Sequence, residues 1–541
     1  MLNFNYNINR FDIAATVGWT GRYENMNNMR VSTNGGLVTE NWFDLNASRY
    51  TPSSTLQRME LLKTGYMGTL SLGWDNYLFL ELTGRQERSS TLKDQSFFYP
   101  SANLSFLFTQ AFHMPSWWNY GKLRLSYGIV GNAPETYTAN IVYEQGSDNG
   151  FTWNTIPSSW GNADIRPEKK YEYEIGLESK FLNNRLGIDI SYYNNRVKDQ
   201  ILSTPQPSTS GVKNVLMNVG EVANHGWDIS ISATPILTRD FRWDLTANYG
   251  VYKNKVVKLA DGVPYLEILN SGGSGIKIQA VEGQPMGDIY AQVPQVNENG
   301  EYLVSDKGLY LNQTELQKVG NINPAGVGGL FNSFSYKNVF LDFSIDFRIG
   351  GDVINEMNQY ATAVGLTPES LKYRDTEHGG LSYYYPGDNN SSGIPVQVDP
   401  STGAGPNGEI IYHDGIILPG VVASTGERNT RIIPAGYYYN TTYNWGTEAE
   451  QLTYRHSVFD NSYVKLRELT IGYQFPEKMI SKLGLGRLSV SVFGRNLFYF
   501  YKALKNYDAE SSVGTSWANQ ATVGSSTTAT RSFGVSLRAS F

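Results

Sequence analysis

The chain has 541 residues, a formal net charge of −6 and no cysteine. The charge gives no support for a nucleic-acid partner, and the missing thiols exclude disulfides and thiolate metal sites. Mean hydropathy is −0.36 and no apolar run approaches the ~18 residues a membrane-spanning helix needs, which excludes a helical membrane protein but not one that crosses with strands.

Residues Met1 to Arg10 have neither the basic region nor the apolar core of a signal peptide. They read as a strand already under way, so the chain is expected to be a fragment whose export signal lies upstream or was removed. About fifteen segments of alternating hydrophobicity follow, near 2–9, 11–23, 60–73, 76–87, 97–110, 120–131, 168–181, 185–198, 224–236, 241–258, 326–337, 339–350, 462–475, 486–499 and 531–541. Each is long enough to cross a bilayer on a tilt. In the clearest, Val339, Leu341, Phe343, Ile345, Phe347 and Ile349 share one face, while Asp342, Ser344, Asp346 and Arg348 share the other. The last segment puts Phe533, Val535, Leu537, Ala539 and the terminal Phe541 on one side, as the closing strand of an outer-membrane barrel does.

Alternation alone also fits a sandwich or a propeller; the connections separate the cases. Short ones occur at Arg10, Asp75-Asn76, Leu182–Asn184, Leu237–Asp240 and Asn338, with moderate ones at 111–119 and 476–485. Long ones run 24–59, 132–167, 199–223, 259–325, 351–461 and 500–530, with a shorter exception at 88–96. Brief periplasmic turns and extended extracellular loops are the asymmetry of outer-membrane barrels. The expected fold class is therefore all-β, a transmembrane antiparallel up-and-down β-barrel domain over 1–541. Bacterial barrels have even strand numbers; an odd count implies at least one further strand before Met1. In Val464–Phe475 the apolar parity switches between Leu466 and Leu469, which either a β-bulge near Arg467-Glu468 or positions polar on both faces would produce.

Eight segments in order then resemble the carboxy-terminal barrel portion of the SusC-like (RagA-like) TonB-dependent transporters of Bacteroidetes outer membranes. They are Tyr127–Asn132, Asn162–Lys169, Tyr173–Leu177, Asn218–Asn224, Glu282–Gly287, Val319–Pro324, Ser462–Tyr473 and Gly494–Phe498. The resemblance covers residues 60 to 541. It implies part of a 22-stranded barrel, a plug domain with no counterpart in this sequence, energisation by TonB through the missing amino-terminal region, and a SusD-like surface lipoprotein as partner. It also implies uptake of oligosaccharides, or peptides, across outer-membrane lipid. The alternatives are a TonB-dependent receptor for a metal chelate and a barrel-embedded enzyme or adhesin.

Aromatic residues concentrate in the long loops, where flat rings can stack on sugar faces. Trp153, Trp160, Tyr383, Tyr384, Tyr437, Tyr438 and Trp445 are the candidate substrate-binding residues. The plainer reading is that such rings pack the loops together or against a lid protein. No catalytic residue, cofactor or metal site is expected: the five histidines lack metal-like spacing, no GxSxG elbow occurs, and Asp388, Asp399 and Asp414 lack the spacing of a calcium loop.

Overall fold

The computed structural model describes residues 1–93, 95–148, 150–271, 275–387, 393–444, 453–512, 514, 516–524 and 529–540. Trp445, Asp388 and Phe541 lie outside these. Fifteen strands form one antiparallel sheet in the order of the sequence. They are β1 (Leu2–Ile8), β2 (Phe11–Leu37), β3 (Ser48–Trp74), β4 (Leu78–Ser89), β5 (Ser96–Phe106), β6 (Trp118–Asn132), β7 (Glu168–Phe181) and β8 (Leu186–Lys198), then β9 (Glu221–Leu237), β10 (Phe241–Lys258), β11 (Gly326–Tyr336), β12 (Val339–Ile349), β13 (Tyr463–Gln474), β14 (Arg487–Lys502) and β15 (Ser532–Ser540). Every segment expected from alternation is present, because period-2 patterning is what a sheet with one apolar face requires. The chain packs as two units: Met1–Ile229 with Lys253–Pro264, and Ser230–Tyr252 with Tyr265–Phe541.

In the first unit, β1 and β2 pair from Leu2↔Val17 to Ile8↔Phe11 around a two-residue turn. β3 and β4 turn through Asp75 and Asn76, both left-handed, and β7 and β8 through left-handed Leu182, Asn183 and Asn184. Asparagine and aspartate tolerate this backbone region better than other side chains, so short turns settle on them. Aromatic rings gather at the same end of the strands. Phe11 stacks on Trp74 at 6.5 Å, Trp74 meets Tyr77 at 5.3 Å and Tyr77 meets Phe106 at 6.1 Å. Trp117, Trp118 and Phe181 form a second group. Such a girdle marks a bilayer interface.

The second unit repeats the pattern. β11 and β12 pair to Tyr336↔Val339 around left-handed Lys337, with Phe241, Trp243 and Phe334 clustered beside the turn. On β15 the outward residues Phe533, Val535 and Leu537 are 73%, 73% and 69% exposed, as lipid-facing side chains are in the bare chain. The opposite face is polar and internally paired. Ser333 donates to Asp342 at 2.6 Å, and Arg495 pairs with Glu468 at 2.9 Å. In the first unit, Arg124 bridges Asp189 at 2.7 Å and Glu178 at 3.5 Å.

The parity switch in β13 is a bulge. Ser344 faces Glu468 while its neighbour Ile345 faces Leu466, leaving Arg467 without an opposing residue. Bulges re-aim side chains, and Arg467 reaches Asp346, Asn496 and Glu510 at 2.5, 3.0 and 2.5 Å.

The connection expected over 24–59 is mostly strand. The β2–β3 ladder continues to Ser32↔Ser53 and, after register shifts, to Leu37↔Ser48, leaving residues 38–47 as the tip. Pairing of β3 with β4 stops at Lys63↔Ser89, so the outer part is a two-stranded ribbon. The alternation that marks a strand comes from one buried face, whereas the backbone ladder needs none. Polar, two-sided residues such as Asn25, Asn27, Asn28, Ser53 and Ser54 therefore pair without announcing themselves.

Three pairs of the family-resembling segments meet. Asn218 accepts from the Arg166 N–H and donates back to its carbonyl, at 2.6 and 2.7 Å. Asn323 donates to the Met286 carbonyl at 2.6 Å, and Arg467 donates to Asn496. These residues are clamps that fix connections to strands.

Candidate functional site

The connection 351–461 is a folded body whose core is shared in part with the 259–325 connection. Its four strands, Leu381–Tyr384, Val396–Gln397, Tyr412–Ile416 and Ile433–Pro434, form a small sheet. Two helices flank it: α1 (Glu356–Ala363), capped by the Asn355 side chain on the Asn358 N–H, and α2 (Ala435–Tyr443). Buried Leu309, Ile416, Leu418 and Ile433 form one cluster, and Tyr383, Tyr385 and Ile432 another.

Between these elements lies a pocket of about 500 Å³, within the range of small-molecule sites. Five tyrosines line it: Tyr438, Tyr439 and Tyr443 from α2, with Tyr310 and Tyr373 from other segments. Its floor is aliphatic, made by Leu381, Ile416, Ile417, Leu418 and Pro419, and its charged groups are Glu369 and Lys372. The rings are inclined to one another: Tyr438 meets Tyr439 at 5.1 Å and 60°, and Tyr443 at 6.2 Å and 82°. Burial pushes the phenols of Tyr310 and Tyr439 up to about 12 and raises that of Tyr438 further. All three therefore stay protonated donors at neutral pH. Tyr373 sits at φ 66°, a left-handed conformation that costs a bulky residue energy and that concentrates at functional sites. The Lys372 ammonium lies 4.8 Å from the Tyr373 ring centre. Behind the pocket, His456 stacks on Tyr443 at 4.5 Å and 19°. Burial, with help from Arg455, pulls its imidazole down to about 4.

The candidate residues fall in different surroundings. Tyr438 lines the pocket, and Tyr437, on the same helix, is 41% exposed. Tyr383 is 1% exposed, donates to Asp414 at 3.0 Å and packs on Tyr385 and Tyr412; Tyr384 ends the same strand and is half-buried. In the first unit, Trp153 lies on a hairpin of Glu144–Asp148 with Phe151–Thr155, and Trp160 meets Tyr143 edge-on at 5.9 Å. Reading aromatic runs alone misses Tyr310, Tyr373, Glu369 and Lys372. The spacing of Tyr439 and Tyr443, four residues apart, was the available sign of a helix.

A lipid-facing strand set with an aromatic girdle, a polar inner face and long ordered connections on one side defines an outer-membrane β-barrel of the receptor and transporter kind. The family described as TonB dependent receptor-like, beta-barrel, matches residues 2–289, and the chain belongs to it. Among relatives, TonB-dependent receptor P3 of Formosa agariphila is 24% identical over 494 residues, covering 83% of this chain and 42% of its own. The TonB-dependent receptor SusC of Bacteroides thetaiotaomicron is 30% identical over 247 residues, covering 42% of this chain and 24% of its own. The chain thus spans less than half the length of these relatives. The structure of the RagAB peptide transporter shares the fold at a TM-score of 0.66 and 18% identity, over 92% of this chain and 51% of that one. The SusC-like and RagA-like resemblance holds, and the proteins compared are receptors and transporters rather than enzymes.

Proposed function

We propose that the chain serves TonB-dependent uptake of oligosaccharides or peptides across the outer membrane, together with a SusD-like surface lipoprotein. The observation that carries this reading is the folded connection 351–461: a porin-like wall has no need of a packed body containing a ring-lined pocket, whereas a receptor that captures a nutrient does. The polar, ion-paired inner face of the strands supports passage of hydrated cargo. The role of this chain is to supply wall and capture surface, with energy drawn from TonB.

The test is to isolate the native protein from outer membranes in mild detergent and identify every co-purifying chain by mass spectrometry. Growth on candidate nutrients is then compared with and without TonB. A bound surface lipoprotein and TonB-dependent growth are the expected results. A protein without a lipoprotein partner, whose loss leaves uptake unchanged, would overturn the reading.

A further inference from the structure

We infer that the tyrosine-lined pocket of the 351–461 connection binds the apolar side chain of a short peptide, with Glu369 and Lys372 receiving the peptide's free ammonium and carboxylate ends. This inference rests on the uptake reading above and specifies its cargo at one site.

Among the lining residues, the side-chain hydrogen-bonding groups are five phenols, one carboxylate and one ammonium. Among the described residues, no asparagine, glutamine, aspartate, serine, threonine or histidine lines the cavity. A pyranose carries hydroxyls around its whole edge, and each one buried without a partner costs free energy. An aliphatic floor cannot satisfy them. Sugar stacking also wants an open, flat ring face, yet these rings are tilted against one another by 45° to 82° and pack edge to face. Tilted rings over an aliphatic floor are what an aromatic or branched aliphatic side chain packs against, through offset and edge contacts.

The charges then select for a zwitterion. Glu369 and Lys372 lie three residues apart at the exposed rim, and neither belongs to an ion pair among the described residues. The Glu369 carboxylate has one long contact, from Asn506 at 3.5 Å, and Lys372 rests over a ring. A carboxylate and an ammonium side by side at the rim of an apolar slot, neither held in an ion pair among the described residues, complement the two charged ends of a short peptide and leave a neutral sugar unanswered.

The experiment uses the native, detergent-solubilised protein with whatever partner co-purifies, and titrates phenylalanyl-alanine, seryl-alanine and maltotriose by calorimetry. Phenylalanyl-alanine is expected to bind about tenfold or more tighter than seryl-alanine, the difference set by burying one apolar side chain. Lys372→Ala should weaken it about fivefold and leave its carboxy-terminal amide unaffected, and Glu369→Gln should do the same for the free ammonium. Both positions are at the exposed rim, so neither substitution endangers folding. Binding of maltotriose in preference to the dipeptides would overturn the inference, as would dipeptide binding indifferent to both rim substitutions. If the lipoprotein partner and TonB dependence hold while the dipeptides fail, only this inference falls. If partner and TonB dependence fail, the uptake reading falls with it.

Discussion

Two long stretches between neighbouring wall strands, 24–59 and 351–461, solve the same problem in opposite ways. The first extends the β2–β3 ladder, and most of its side chains stay exposed. The second folds into a body with helices, a small sheet and two buried clusters. The difference teaches that the length of a connection does not say whether it folds. Apolar side chains that can be buried together decide it, because ordering a segment costs about 1–2 kcal/mol per residue that burial must offset. Isolated two-stranded ribbons are marginal for the same reason.

The sharpest way to break the contrast is to remove a ring from the folded connection. Tyr383→Ala deletes a side chain that is 1% exposed and cuts its hydrogen bond to Asp414. The expected cost is about 3–5 kcal/mol, the range for emptying a buried aromatic site. Hydrogen exchange should accelerate across 381–416 while the wall strands keep their protection. If the wall loses protection in step, the connection is not an independent folding unit.

Next in size is the strap 503–524, whose buried Leu504 and Val523 pack with Val353. Glu510 ties it to the wall through Lys465 at 2.5 Å and through Arg467, and the Lys465 side chain is 2% exposed. Glu510→Ala strands that buried ammonium, at an expected cost of about 3 kcal/mol. Burial alone would raise the Glu510 carboxyl, yet hydrogen bonds from Arg467 and Lys465 overcome it and hold it down to about 2. Because the folded value lies below the unfolded one, this stability is complete above about pH 4.5 and is lost as pH falls toward 2. Exchange at 503–512 measured at pH 7 and pH 3 checks the sign; Glu510→Gln should abolish the difference.

The wall was legible in the sequence because its physics is one-dimensional. A strand between lipid and a polar interior must alternate, and Val339–Ile349 does so without a fault. Even the bulge at Arg467 left a trace, as a shift of parity. The connections were legible in length but not in shape. The β2–β3 ribbon mixes polar and apolar residues on both faces, so no alternation betrayed it. Tyr310, Tyr373 and Tyr438 come from segments far apart in sequence, and only folding brings them around one cavity. Aromatic runs found Tyr438 but could not separate it from Tyr383, whose ring fills the core.

A smaller effect separates the pocket from the rest of its body. His456 stacks on Tyr443 and is held neutral, its folded value near 4 lying below the ordinary one near 6.5. Protons therefore bind the unfolded segment more readily. The contribution is whole above pH 6.5 and is lost progressively as pH falls to about 4. Protection within 435–444, taken relative to the intrinsic exchange rate at each pH, should fall between pH 7 and pH 5, and His456→Phe should flatten that response while keeping the stack. An unchanged response in the variant would move the titration to another group.

The ribbon should give the smallest effect of all. Met29 and Leu56 face each other across the β2–β3 ladder and are 70% and 57% exposed. Replacing both with serine removes apolar surface that water already reaches, so stability should change by less than about 0.5 kcal/mol. The ribbon stands clear of β4 beyond Lys63. Amides of 24–37 should therefore exchange much faster than those of 64–74 on the partner strand, where β4 completes the sheet. Run on the isolated chain and again on the protein as purified with its partners, the comparison has two distinct outcomes. Fast exchange in both preparations leaves the ribbon a bare extension of the wall. Protection that appears only in the second preparation, and that the double serine variant abolishes, would mean that a partner covers those apolar side chains. The contrast between the two connections would then lie in where each finds its buried surface: one within the same chain, in part against the 259–325 connection, the other in a partner.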